Sequence, residues 1–101
     1  MDLKELNKRS HDMRERYHEL ELKYHGSKWS IEEDALAFLT DASLVGRLTM
    51  DHEGRWPSDE GDLSSKIGEC VWWLAILADE MGLSFEECVT KFIEEKEEDL
   101  G

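Results

Sequence analysis

From Ile67 to Ala78 the chain reads IGECVWWLAILA, with Glu69 its one charged residue. A helix that is apolar on nearly every face must be covered on nearly every face. In a chain of 101 residues, three other helices can hardly supply that cover. The sequence therefore predicts that a second subunit covers part of this helix. The apolar run is too short for a membrane span, which needs about 20 residues.

Three more helical segments surround this one. Leu3, Leu6, Met13, Tyr17, Leu20 and Tyr24 recur at spacings of three and four, with Ser10 filling the gap. That is the seam of a bundle helix over roughly Leu3 to Tyr24, with Met13, Tyr17, Leu20 and Tyr24 facing inward. Ser30 followed by Glu33 is a capping box, and it starts a second helix that reaches Met50. A polar loop from Asp51 to about Gly61 leads to the apolar helix, predicted over Asp62 to Met81 and ended by Gly82. Ser84 and Glu87 cap a fourth helix with the stripe Phe85, Cys88, Val89, Phe92 and Ile93. The acidic stretch 94–101 reads as a solvated, fraying end. The expected fold is all-α: residues 1–101 as a single domain, bundle-like with four helices, and completed by dimerisation.

Charge narrows the partners. Asp and Glu number 25 against 12 Lys and Arg, a formal net charge of -13. Such a chain repels a phosphate backbone and an anionic membrane, so neither nucleic acid nor membrane is an expected partner. A nucleotide remains compatible where a divalent cation bridges its phosphates to carboxylates. Cys70 and Cys88 form no CxxC pair and sit within apolar patterns, which reads as reduced core thiols of a cytoplasmic protein. The charged start from Asp2 does not resemble a secretory leader.

Two acids stand out. Asp41 shares a helix face with Phe38, Val45 and Leu48, and Glu69 shares one with Trp72, Trp73 and Ile76. A carboxylate on a core-directed stripe needs a cation, a proton or a hydrogen-bond donor. A divalent metal held where the two helices face each other meets that need. So does an ordinary ion pair to Arg47 or Lys66. His11, His18 and His25 repeat every seven residues, but such neighbours lie about 10.5 Å apart along a helix and cannot share one ion. They fall one step off the seam, on the expected solvent face. The Trp72–Trp73 pair reads as core. Trp29, before a helix start, is the better-exposed candidate for stacking on a base.

The order of these segments resembles the MazG-like family of all-α nucleoside triphosphate pyrophosphohydrolases. The resemblance rests on KWSIEEDALAFLTD, RLTMDHEG and, most specifically, KIGECVWWLAILADEMGLSFEECVTKF. It implies a Mg²⁺-dependent hydrolase of helical dimers or tetramers that cleaves a nucleoside triphosphate to the monophosphate and pyrophosphate. The family's metal motif is ExxE on one helix and ExxD on the next. The first falls on Asp41 and Leu44, the second on Lys66 and Glu69. Asp41 and Glu69 thus keep carboxylates for metal binding and catalysis, while Leu44 offers no oxygen and Lys66 reverses the charge. Lys91 matches a basic residue near the phosphates, and Lys66 is a second candidate for holding them. Glu53, His52 and Asp79 are the acids and imidazole from which a lost ligand could be replaced. Two expectations follow: a pyrophosphohydrolase with a reduced Mg²⁺ site, or an inactive helical dimer that binds a nucleotide or a protein.

Overall fold

The computed structural model of the chain describes residues 1–59 and 61–101. They form four helices, α1 (Leu3–His25), α2 (Ile31–His52), α3 (Leu63–Glu80) and α4 (Phe85–Leu100), and no strand. The ends are set locally. Asp2 accepts a hydrogen bond from the Glu5 N–H, and Asp62 accepts one from the Ser65 N–H. Ser30 and Glu33 make both bonds of a capping box, and Ser84 accepts from the Glu87 N–H. Each cap contributes about 1 kcal/mol. Gly26, at φ 79°, adopts the left-handed conformation that closes α1.

All three other helices pack on α3. α2 touches no other helix backbone closely, whereas α4 rests on both α1 and α3. α2 and α3 run antiparallel, since Asp41 meets Trp73 and Asp34 meets Glu80 further along each helix. Ala75 and Ala78 let α1 and α4 approach α3. Around them gather Phe85, Leu3, Leu6, Val71 and Val89. Leu48, Trp73, Ile76 and Leu77 are also buried.

The bundle is open rather than closed. Its radius of gyration is 15.9 Å, against about 13 Å for a compact chain of this length. Ile67 and Leu74 on α3 and Met81 at its C-cap lie seven residues apart, and all remain exposed. Beside them, Leu74, Met81, Leu83, Cys88 and Phe92 line an apolar groove of about 430 Å³. Cys88 is therefore an exposed thiol rather than a core one, and Cys70 is half-buried; both are free.

Helix α1 departs from the expected seam. Met13, Tyr17, Leu20 and Tyr24 are exposed, while Ser10 and Arg14 are buried. His18 and Glu21 also face inward, with side chains 13% and 14% exposed. Leu3, Leu6 and Ser10 lie on the expected seam, and from Arg14 onward the inward face runs one residue, or about 100°, off it. The cause is on α2: Asp34 is fully buried and needs a cation, and Arg14 supplies it. The stretch 94–100, expected to fray, continues as helix. Its Glu and Lys residues are good helix formers, and Lys96 pairs with Asp99 at 3.6 Å.

Candidate functional site

Asp41 and Glu69 converge on one cation, and that cation is Lys66. Its Nζ donates to Asp41 Oδ1 at 3.2 Å and to Glu69 Oε1 at 2.8 Å. Trp73 Nε1 donates to the other Asp41 oxygen, Oδ2, at 2.8 Å. Helical spacing explains the arrangement: Lys66, Glu69 and Trp73 lie three and four residues apart on one face of α3, opposite Asp41 on α2. The hydrogen bond to Glu69 holds the Lys66 proton more firmly than usual; burial opposes this and Asp41 adds to it.

These contacts bear on whether Mg²⁺ fits. Both Asp41 oxygens already accept a hydrogen bond, and the ammonium stands where a shared cation would. Leu44 contributes no oxygen. With Lys66 in place, two carboxylates compensated by an internal charge do not make a Mg²⁺ site, because the ammonium repels the ion and occupies its ligands.

Next to this pair opens a cleft of about 270 Å³ lined by Arg14, Tyr17, Glu21, Trp29, Glu69, Trp72 and Trp73. Trp29 and Glu69 thus share one cavity. The Trp29 N–H is anchored on Glu21 Oε1 at 2.9 Å. Tyr17 meets the edge of Trp72 at 5.9 Å between ring centroids, and Trp72 meets Trp73 at 4.7 Å. The Trp72 indole N–H is buried and has no acceptor among the described residues. An aromatic wall with carboxylates in its lining can take a flat polar ring.

Lys91 is not brought to this place. It lies exposed on α4 among Glu86, Glu87, Glu94 and Glu95, and α4 does not pack against α2. Asp79 is engaged with His11, Nδ1 to Oδ2 at 2.7 Å. His52 and Glu53 are exposed at the end of α2.

A second polar cluster lies further along the α2–α3 seam. Arg14 Nη2 and Nε donate to the two Asp34 oxygens at 2.7 and 3.3 Å, and Nη1 donates to Glu21 Oε2 at 2.7 Å. The guanidinium also lies 5.5 Å from the Trp73 ring centroid. Burial opposes ionisation of Glu21, but Arg14 and the Trp29 N–H outweigh it and hold the carboxyl below its usual range. Burial, and then the neighbouring Asp34, push Glu80 up to about 8. His18 completes the cluster, so the expectation that it faces solvent is overturned. Sequence reasoning passed over Arg14, Asp34 and Glu80. One signal was present: Asp34, Asp41 and Leu48 are seven apart, so an inward Asp41 implies an inward Asp34.

No protein-family model, no curated protein and no solved structure matches this chain. Its class therefore rests on its own structure, an open all-α assembly around one apolar helix. No helix among the described residues is long and apolar enough to cross a membrane.

Proposed function

We propose that this chain is a MazG-like helical domain that binds a nucleoside triphosphate as a homodimer, with its pyrophosphohydrolase centre closed by Lys66. The observation that carries this reading is the single ammonium shared by Asp41 and Glu69. In the MazG-like pattern those two acids belong to the metal site, and a cation built into the chain replaces the ion there. The aromatic cleft supports retained binding: Trp29 and Tyr17 offer stacking faces for a base. The exposed stripe Ile67, Leu74 and Met81 supports a second copy as its cover.

The test is pyrophosphate release from a panel of nucleoside triphosphates with Mg²⁺ or Mn²⁺ at high protein concentration. No release above background is expected, together with quenching of Trp29 fluorescence by at least one nucleotide and loss of that quenching in Trp29→Phe. Metal-dependent release that disappears in Asp41→Asn would overturn the closed-site reading. It would establish instead the second reading, a pyrophosphohydrolase with Mg²⁺ on Asp41 and Glu69. One observation favours that alternative: the two acids do converge on one cation-sized position at the border of the cleft.

A further inference from the structure

We propose that His18, Asp34 and Glu80 form a binding site for a first-row divalent transition-metal ion such as Zn²⁺, between α1, α2 and α3. Each offers one ligand atom, and these atoms all lie within 4.8 Å of one another. The site uses neither Asp41 nor Glu69, and it does not depend on the nucleotide-binding reading.

Three atoms in the cluster lack a hydrogen-bond partner among the described residues. Both ring nitrogens of His18 are buried without a hydrogen-bond partner among the described residues. The nearest acid, Glu15, stands 3.5 Å from Nδ1 and makes no hydrogen bond with it. Glu80 Oε1 is also buried and unpartnered. Both residues border one cavity of about 220 Å³, which leaves room for water ligands. A cation placed there satisfies an imidazole nitrogen and a carboxylate oxygen together.

Charge agrees with this placement. Arg14 is the one guanidinium set between Asp34 and Glu21, and Glu80 adds a third carboxyl that Arg14 does not bridge. Arg14 donates to both Asp34 oxygens, each of which keeps a second lone pair for an ion, and outer-shell donors orient metal-binding carboxylates in this way. A donor set of one imidazole and two carboxylates suits Zn²⁺ or its first-row neighbours better than Mg²⁺, which prefers oxygen alone. Ligands at about 2.0–2.2 Å from Zn²⁺ stand about 3.3–3.6 Å apart, so the side chains would draw in by about 1 Å on binding.

The protein is first stripped with chelator and then titrated with Zn²⁺ by calorimetry. Co²⁺ is followed by its visible absorption, and the histidine side chains by nitrogen NMR. The expected result is one ion per chain, a shift of the His18 ring resonances, and no comparable shift of His11, His25 or His52. His18→Gln and Glu80→Gln should each weaken Zn²⁺ at least tenfold, while Asp41→Asn leaves it unchanged. Absence of Zn²⁺ binding overturns the site, as does unchanged binding in a folded variant or a ring shift at another histidine. If both variants fail to fold, the ring resonances of the wild-type protein decide.

Discussion

Lys66 Nζ stands 3.2 Å from Asp41 Oδ1, across the interface of α3 with α2. The contact joins two helices and neutralises a carboxylate whose side chain is 12% exposed. It also determines what this part of the molecule can do, because the same ammonium engages Glu69 at 2.8 Å.

Removing that ammonium should cost stability before it gains function. Lys66→Ala leaves Asp41 buried with only the Trp73 N–H as partner. Chemical denaturation should show a loss of about 1–3 kcal/mol. Adding Asp41→Asn should recover part of this, since the unpaired charge is then gone. Equal and additive losses in a double-mutant cycle would show that the pair is not coupled.

Adding two acids should convert the site. Leu44→Glu with Lys66→Glu places four carboxylates where the chain now has two and an ammonium. The double variant should gain a Mg²⁺-dependent rise in Tm that the wild type lacks. A rise of the same size in both proteins would contradict the view that Lys66 takes the place of the ion.

Arg14 is the bridge between α1 and α2, whose backbones do not otherwise meet. Arg14→Met strands a fully buried Asp34 and should destabilise by about 3–5 kcal/mol, read from urea unfolding. Arg14→Lys should recover little, because one ammonium cannot make the forked contact to Asp34 and still reach Glu21.

Glu80 gives a pH dependence with a definite sign. In the unfolded chain it titrates near 4.5 and in the metal-free fold at about 8, so the folded state holds the extra proton between those values. This contribution is complete below the lower value and is lost as pH rises through the upper one. Glu80→Gln, which cannot ionise, should flatten the fall in Tm from about pH 5 to pH 9. It should also exceed the wild type at the alkaline end by about 1–3 kcal/mol, allowing for water at the cavity. A steeper fall in the variant would show that Glu80 is ionised in the fold.

The uncovered apolar face predicts self-association. Leu74→Glu places a charge in the middle of the Ile67, Leu74 and Met81 stripe. Light scattering behind a sizing column should find a dimer for the wild type and a monomer for the variant, with helicity unchanged. A monomeric wild type would leave the face for a different partner.

Much of this architecture was legible in the residues. The caps at Ser30 and Ser84 marked two helix starts. The all-round apolarity of Ile67 to Ala78 marked α3 as the helix against which everything else packs. Asp41 and Glu69 stood out because an acid on an apolar stripe needs a partner, and the structure brings them to one cation. Less legible was α1, where polar residues face in and apolar ones face out. Periodicity reads hydrophobicity, and it has no means of weighing Arg14 against Met13 when the far side of the interface holds a buried Asp34. For the same reason His18 looked like a solvent residue.

The sequence by itself determined the four helices and where they begin, since caps, glycines and residue spacing act within a turn or two of the chain. The tertiary structure decided which face of α1 turns inward, which cation Asp41 and Glu69 share, and that Lys91 stands apart from both. Those choices depend on charges that meet across helices. A buried carboxylate without a cation costs more than the exposure of a few apolar side chains, so Asp34 and Asp41 draw Arg14 and Lys66 to themselves and the helices settle around those pairs.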